Sequence, residues 1–403
     1  MKTAIVIPDG CADEPQEPLG HRTPLQAAHL PNMDAIARLG LVGLSNNVPP
    51  TLTPASDVAT LSLLGYDPLE VYTGRAPLEA AAMGIALGPL DWAVRCNLVH
   101  LDKEEMRDFT AGHISSDEGR TLVGLLSAEL AGPASRLVPG MAGRIEFHPG
   151  VSYRNLMVYR GEGPSPFDAA TRTQPPHDIA DKAVSSNLPS GPGSGLLRAV
   201  MERSRAILAP TMKRDKAATQ AWLWGQGKAP TLKPFIDLYG KRGAMLSAVD
   251  LVRGVGTLAG WKRIDVPGAT GYLDTDYAAK GRYGVAALED HDIVCVHVEA
   301  PDEASHEGRA DEKVKALERI DEHVVGPLLA ALRGYPAWRL LVSPDHRTTL
   351  RTRGHAHGPV PFALAGTGIG AFGFASYDEQ SAAGSPFVHE RGHELMKRLL
   401  ASV

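Results

Sequence analysis

Three short apolar segments that each end in aspartate or histidine constrain the fold of this chain more than any other feature. The segments, each with the polar residues at or just beyond its end, are "TAIVIP" (3–8) with Asp9, "DIVCVHVEA" (292–300) with Asp302 and His306, and "WRLLVSPDH" (338–346) with Asp345 and His346. Continuous apolar runs of this length are typical of parallel strands that are buried on both faces. Because the carboxyl ends of parallel strands meet at one edge of a sheet, the sequence predicts an α/β fold with a site at that edge.

Helix-like patterns alternate with these strands in both end regions of the chain. "NMDAIARLG" (32–40) has helical spacing and ends in glycine, and residues 311–334 carry a long apolar stripe. The middle of the chain differs, with Pro-, Gly- and Ser-rich stretches such as "SSNLPSGPGSG" that indicate long loops. We therefore expect one discontinuous domain, 1–95 with 236–403, and a smaller inserted domain, 96–235.

Length, charge and cysteine usage exclude several classes of function. A chain of 403 residues is too long for one ordinary core, and a net charge of −5 offers no basic footprint for nucleic acid or an anionic membrane surface. The apolar run at the N-terminus, Ala4 to Pro8, is too short for a signal peptide. Three cysteines do not form an even disulfide framework. We expect a cytoplasmic protein.

The polar residues after the strands have the chemistry of metal ligands. Carboxylate and imidazole groups suit Zn, Mn, Fe or Co better than Ca. Six such side chains are too many for one ion and are typical of two metals roughly 3.5–4 Å apart, as in phosphoryl-transfer enzymes. The candidates are Asp9, Asp302, His306, Asp345, His346 and His355. Taken singly, an aspartate at a strand end is an ordinary turn or cap; the joint occurrence at three strand ends favours metal.

Ser56 is the candidate nucleophile. It stands with Asp57 immediately before an apolar helical run in "TPASDVATLSLLGYDP" (53–68). A serine at a helix start is commonly an N-cap, and that role remains open here. The same position would place its hydroxyl near the positive end of the helix dipole, where phosphate also binds. A metal on its oxygen would make it a usable nucleophile.

Several longer motifs identify a family that the chain resembles. They include "PDGCAD" (8–13), "ASDVATLSLLGYDP" (55–68), "HVEAPDEASHEG" (297–308) and "HAHGPVPF" (355–362). With these motifs the chain resembles the cofactor-independent phosphoglycerate mutases of the archaeal type, within the alkaline phosphatase superfamily. The resemblance spans nearly the whole chain. It implies an alkaline-phosphatase-like α/β domain with a mostly parallel sheet flanked by helices, and a smaller inserted α/β (α+β) domain.

The resemblance also implies two divalent metal ions, most often Mn²⁺, with Zn²⁺, Co²⁺ or Mg²⁺ as alternatives. The implied ligands form two sets, Asp302, His306 and His355 for one ion, and Asp9, Ser56, Asp345 and His346 for the other. His355, rather than His357, has the family's spacing to the following Pro-Val pair. After Asp345-His346 the chain reads "RTTL", where the family pattern is Thr-Pro. This departure removes no ligand.

The implied reaction is phosphoryl transfer through a phosphoserine at Ser56, which interconverts 3-phosphoglycerate and 2-phosphoglycerate without 2,3-bisphosphoglycerate. The inserted domain would bind the small phosphorylated metabolite and close over it, since water would otherwise intercept the phosphoenzyme. Candidate substrate cations are Arg75, His113, Arg154 and Lys280. Each could equally be a solvated or paired surface charge. The oligomeric state is left open.

A second function competes with the mutase. "DFTAGHIS" (108–115), "PPHDIADK" (175–182) and "WLWGQGKAP" (222–230) resemble a bacterial branch proposed to be homoserine kinases, which would transfer phosphate from ATP to homoserine. The chain has no G-x-x-x-x-G-K-[ST] phosphate-binding loop, although a metal–serine site could replace one. The aromatic "WLWGQGK" segment would either stack a base or fill a core. A plain phosphatase and a non-catalytic protein with this fold are weaker alternatives.

Overall fold

The computed structural model describes residues 1–211 and 218–402, and the chain divides into two compact units. Unit 1 comprises Met1–Tyr72 and Thr231–Val403, and unit 2 comprises Thr73–Pro230. The expected first boundary, at 95/96, would cut an eleven-residue strand, Trp92–Asp102, which belongs wholly to the sheet of unit 2. The break in the chain therefore comes before this strand, in the loop after Tyr72.

Strands and helices are numbered along the chain. The strands are β1 (Lys2–Pro8), β2 (Leu41–Ser45), β3 (Trp92–Asp102), β4 (Glu105–Asp108), β5 (Gly132–Pro133), β6 (Arg144–Val151), β7 (Arg154–Arg160), β8 (Gln220–Gly227), β9 (Gly243–Leu246), β10 (Lys262–Arg263), β11 (Ile293–Val298), β12 (Trp338–Val342), β13 (Arg347–Thr349), β14 (Gly354–Ala356), β15 (Val360–Gly366) and β16 (Val388–His389). The α-helices are α1 (Pro24–Ala27), α2 (Pro31–Leu39), α3 (Ser56–Leu63), α4 (Pro68–Val71), α5 (Arg75–Ala82), α6 (Ser116–Leu130), α7 (Ser194–Leu208), α8 (Phe235–Tyr239), α9 (Asp250–Leu258), α10 (Tyr277–Asp290), α11 (Ala300–His306), α12 (Ala310–Ile320), α13 (Gly326–Leu332), α14 (Glu379–Ala383) and α15 (Leu395–Leu400). Among the described residues, no helix combines the length and the apolar character needed to cross a membrane.

Unit 1 is built on an eight-stranded sheet in the order β10-β9-β11-β1-β12-β15-β2-β16. Every neighbouring pair is parallel except the two that involve β15, which runs against the rest. The predicted mostly parallel sheet of an α/β fold is thus confirmed. β1 lies at the centre between β11 and β12, and its residues Ala4 to Ile7 are fully buried, as expected for a strand covered on both faces.

The helical predictions of unit 1 are also confirmed, with one irregularity. The stripe predicted over 311–334 forms α12 and α13, joined by a π-helical turn at Asp321–Val325. Asp321 is buried there, and its carboxylate accepts hydrogen bonds from the backbone N–H groups of Asn32 and Met33 at the start of α2. The turn therefore supplies the cap that α2 lacks in its own sequence.

Unit 2 is an α+β domain with an antiparallel sheet. Its strands are ordered β4-β3-β7-β6-β5, and β8 also pairs with β3. Trp222 and Trp224 of "WLWGQGK" lie in its core, and their indole N–H groups donate to Gln174 O and Asn97 Oδ1. Because both rings are covered by protein, the aromatic segment fills a core and offers no surface on which a base could stack.

A buried ion pair fixes the segment that follows β12 in unit 1. Lys313 of α12 is fully buried, and its Nζ donates to Asp13 Oδ2 at 2.9 Å and to Thr348 O at 2.8 Å. The same carboxylate oxygen accepts from Leu350 N at 3.1 Å. These bonds connect β13 and the residue after it to the loop after β1. The segments that follow Asp9 and His346 are therefore held together by the same ion pair.

Replacing Lys313 should therefore destabilise unit 1 strongly. Lys313→Met leaves the Asp13 carboxylate buried without its cation, which costs about 3–5 kcal/mol. Lys315→Met is the matched control two residues along α12, because Lys315 is exposed and pairs with Asp311 and Glu312 of the same helix. Urea unfolding should show a large loss for the first variant and almost none for the second. Equal losses would contradict this assignment.

Candidate metal centre and nucleophile

Three histidines at the carboxyl edge of the unit 1 sheet, His306, His346 and His355, each have an oxygen atom as the partner of Nδ1, and this partner fixes the tautomer of the ring. His306 Nδ1 lies 2.9 Å from Arg353 O, and His355 Nδ1 lies 3.0 Å from Pro54 O. A carbonyl oxygen only accepts hydrogen bonds, so both Nδ1 atoms carry a proton. The Nε2 atoms of the two rings are then left with lone pairs for another partner, as is usual for histidine ligands of metals.

Those two Nε2 atoms converge with the Asp302 carboxylate. They lie 3.2 Å from one another, and Asp302 lies 3.0 Å from His306 Nε2 and 3.5 Å from His355 Nε2. Two facing lone pairs at this distance repel unless a cation lies between them. The hydrogen bond to Asp302 raises the pKa of His306 to about 9, so a proton binds here readily. A divalent cation fits the same three groups.

A second group of ligand atoms surrounds Asp9 at the end of β1. Asp9, Asp345 and His346 are almost completely buried, and His346 Nε2 lies 3.6 Å from Asp9 Oδ1 and 3.4 Å from Asp345 Oδ2. Within the described part of the chain, no donor satisfies Asp9 Oδ1 or Asp345 Oδ2. Burial, and then the charge of Asp345, raise the pKa of Asp9 well above its ordinary value. Unsatisfied buried carboxylates of this kind call for a cation.

Gly10 allows the two groups to approach each other. Its backbone is left-handed, with φ of 58°, and a methyl group at this position would overlap Asp302 and Thr348. Gly10 N also donates to Asp345 Oδ1 at 3.1 Å. The Asp9-Gly10 pair thus lets Asp302 approach on one side and holds Asp345 by a hydrogen bond on the other.

Ser56 is the first residue of α3 and its hydroxyl does not cap the helix. The N-cap is Ala55, which makes no side-chain bond, and Ser56 Oγ lies 3.2 Å from both Asp9 Oδ2 and His346 Nε2. The N-cap interpretation of Ser56 is therefore wrong. Alanine is a poor N-cap and Ala55 makes no side-chain bond to the helix, so the start of α3 is suited to an anion. The nucleophile candidate lies beside the ligand atoms.

Thr348, which sequence reasoning missed, connects the two groups. Its Oγ1 lies 2.5 Å from Asp302 Oδ1 and 3.2 Å from His346 Nδ1. The single hydroxyl proton goes to the carboxylate, so Thr348 accepts from His346 Nδ1–H and leaves His346 Nε2 unprotonated. The signal in the sequence was the unusual "RTTL" after Asp345-His346, which was noted only as a departure.

His297 and Glu299 are two further residues that the sequence did not single out. Both lie near the end of β11, and together with Asp9 they form a third group that could hold an ion. Burial lowers the pKa of His297 to about 4, so its imidazole is neutral. A histidine inside the apolar run "DIVCVHV" was the available signal, because a buried imidazole needs partners.

The four predicted substrate cations fall in different places. In unit 2, Arg154 lies over the Tyr153 ring at 5.2 Å, and the His113 ring meets the same tyrosine edge-on at 6.4 Å. His113 has a left-handed φ of 52°. Arg75 begins α5 in that unit. Lys280 lies in unit 1, where it is buried and its Nζ donates to His297 O at 3.1 Å.

The fold and site define a class, α/β proteins with metal-ligand groups and a serine at the carboxyl edge of a mostly parallel sheet. The family model described as 2,3-bisphosphoglycerate-independent phosphoglycerate mutase matches residues 37–212. A curated relative with that name from Methanothrix thermoacetophila is 47% identical to this chain. The protein named 2,3-bisphosphoglycerate-independent phosphoglycerate mutase 2 from Methanothermobacter thermautotrophicus is 46% identical. The first match covers 100% of both chains, and the second covers 99% of this chain and 97% of the relative.

Solved structures agree at the level of the fold. A Pyrococcus horikoshii protein matches with a TM-score of 0.81 at 25% identity, over 99% of this chain and 97% of its own. The cofactor-independent phosphoglycerate mutase of Thermoplasma acidophilum matches with a TM-score of 0.66 at 24% identity, over 99% of both chains. The chain belongs to the 2,3-bisphosphoglycerate-independent phosphoglycerate mutase family.

Removing the Thr348 hydroxyl should weaken metal binding. Thr348→Val leaves Asp302 Oδ1 and His346 Nδ1 without their shared partner, and loss of such outer contacts typically lowers metal affinity by about 10- to 100-fold. Thr348→Ser keeps the hydroxyl and is the matched control. Titration calorimetry with Mn²⁺ on chelator-treated protein measures both. An affinity of the Val variant equal to that of the wild type would contradict the bridging role.

Proposed function

We propose that this enzyme interconverts 3-phosphoglycerate and 2-phosphoglycerate through a phosphoserine at Ser56, without 2,3-bisphosphoglycerate. The observation that carries the proposal is the position of Ser56 Oγ, 3.2 Å from both Asp9 and His346 at the uncapped start of α3. The names of the relatives supply the substrate. The burial of all three cysteines as free thiols supports a cytoplasmic setting.

Two divalent cations are part of the proposal, with Mn²⁺ as the preferred ion and Zn²⁺, Co²⁺ and Mg²⁺ as alternatives. One would be held by Asp302, His306 and His355, and the other by Asp9, Ser56, Asp345 and His346. When bound, such ions neutralise charge on the phosphoryl oxygens and lower the pKa of a hydroxyl group. The charge argument supports this assignment, since the carboxylates of Asp9, Asp302 and Asp345 are all buried and buried carboxylates need cations.

The chain's own residues orient the reaction. Asp9 Oδ2 accepts a hydrogen bond from Ser56 Oγ and so fixes the direction of the hydroxyl. The N–H groups at the start of α3 face the anion and stabilise its charge. The Ser56 Oγ–P bond forms as the bond from phosphorus to the 3-oxygen breaks, and the Ser56 hydroxyl proton passes to the 3-oxygen. After the glycerate reorients, its 2-oxygen takes the phosphoryl group as the Oγ–P bond breaks, and the 2-hydroxyl proton returns to Ser56 Oγ.

Unit 2 is proposed as the substrate-binding part of the chain. Arg75, His113 and Arg154 are proposed contacts for the phosphate and carboxylate, for which arginine is well suited. Lys280 also stays a proposed contact; its buried amine donates one hydrogen bond, to His297 O, and has two further protons to donate. No observation favours the homoserine kinase alternative, since the aromatic segment that would stack a base lies in a core.

The test is an enolase-coupled assay of Mn²⁺-loaded protein with 3-phosphoglycerate and no 2,3-bisphosphoglycerate. Ser56→Ala should reduce turnover by roughly 10³-fold or more, because the nucleophile is lost. Ser62→Ala is the matched control on the same helix, where the hydroxyl donates a hydrogen bond to Asn47 O. Mass spectrometry of quenched reactions should find a phosphopeptide containing Ser56.

No turnover from protein shown to carry two metal ions would overturn the mutase proposal. Homoserine with ATP would then be the next substrate pair to test on the same protein.

A further inference from the structure

A buried chain of side chains reaches Asp9 from β11. His297 is fully buried, its Nε2 lies 2.9 Å from Asp9 Oδ2, and its Nδ1 lies 3.2 Å from Ser247 Oγ. The carbonyl oxygen of His297 accepts from Lys280 Nζ at 3.1 Å. In the described structure, His297 is therefore held at both ring nitrogens and at its backbone.

The protons of this chain can be assigned from its partners. Ser247 Oγ accepts from Val249 N at 3.0 Å and can donate its own proton to His297 Nδ1. When a cation is bound, the Asp9 carboxylate is ionised and only accepts hydrogen bonds, so His297 Nε2 then carries the proton that it shares with Asp9 Oδ2 at 2.9 Å. This is the opposite tautomer from that of His306, His346 and His355, whose protons lie on Nδ1.

The tautomer decides between two roles for His297. A protonated Nε2 has no lone pair toward Asp9, so the third group, Asp9, His297 and Glu299, is not an ion site while this hydrogen bond exists. The donated proton instead occupies Asp9 Oδ2, which also faces Ser56 Oγ. Asp9 Oδ1, which has no donor among the described residues, remains directed at His346 Nε2 and Asp345.

We propose that His297 is a positioning residue. Its hydrogen bond fixes the orientation of the Asp9 carboxylate, so that Oδ1 faces the cation and Oδ2 faces the nucleophile. The proposal rests on the cation assignment of the proposed function. It does not require that the substrate be phosphoglycerate. Ser247 sets the tautomer, and Lys280 holds the strand end from which His297 projects.

The first test reads the tautomer directly in the wild-type protein. Histidine-selective ¹⁵N labelling with Zn²⁺, which is diamagnetic, gives NMR spectra in which each ring's proton position is visible. We expect one ring, identified by its absence in His297→Gln, to be protonated on Nε2 both with and without Zn²⁺. Loss of the Nε2 proton on adding Zn²⁺, or a proton on Nδ1, would overturn the proposal.

The second test uses metal binding, which does not depend on the reaction. His297→Leu removes the donor, and His297→Gln keeps an N–H donor in similar volume. In titrations with Mn²⁺, the Leu variant should lose about 10- to 100-fold in affinity at one of two sites, with partial recovery in the Gln variant. His389→Gln, which alters a histidine of β16 in the same sheet, should bind both ions normally.

The readouts separate positioning from a merely structural role. Melting temperatures in chelator report the fold alone, and a positioning role predicts a normal melting temperature in chelator but a reduced upward shift on adding Mn²⁺. If the protein is a mutase, kcat should fall while KM stays near its wild-type value. Wild-type Mn²⁺ binding by both His297 variants, or equal weakening of both sites, would contradict the proposal. If the Leu variant does not fold, the NMR result decides.

Discussion

The structure of unit 1 depends on keeping three buried carboxylates, Asp9, Asp302 and Asp345, at one edge of its sheet. Isolated buried carboxylates are too costly to persist, so they are protonated, paired or bound to cations. Burial opposes the ionisation of Asp302, but the neighbouring imidazoles of His306 and His355 hold its pKa well below its usual range. The histidine tautomers direct lone pairs toward these carboxylates, and Gly10, which has no side chain, allows Asp302 to approach closely.

The distribution of donors around the site is selective. Carbonyl oxygens fix the protons of His306 and His355, and Thr348 does the same for His346, so that three lone pairs face inward. His297 faces Asp9 with a proton instead. The start of α3 also departs from the usual preference for a polar N-cap residue, because Ala55 occupies the position where a capping side chain would stabilise the helix. The inward lone pairs of the three histidines and the start of α3 are therefore both suited to charged ligands.

The strands and the polar residues that gather at their ends could be predicted because each is encoded locally. An apolar run followed by Asp9, or by Asp302 and His306, needs no knowledge of the partner strand. Thr348 and His297 could not be found this way, because their roles depend on register. His297 pairs alongside Ile7, two residues before Asp9, only because β11 and β1 align in parallel. The same reasoning misplaced the domain boundary, since β3 belongs to one sheet along its whole length.

The measurement that tests the central claim most directly is anomalous diffraction at the manganese edge from Mn²⁺-soaked crystals. The account predicts two peaks, one in contact with Asp302, His306 and His355, and the other with Asp9, Asp345 and His346. His297 should contact Asp9 and no ion. A single peak, or a peak bonded to His297 and Glu299, would contradict it.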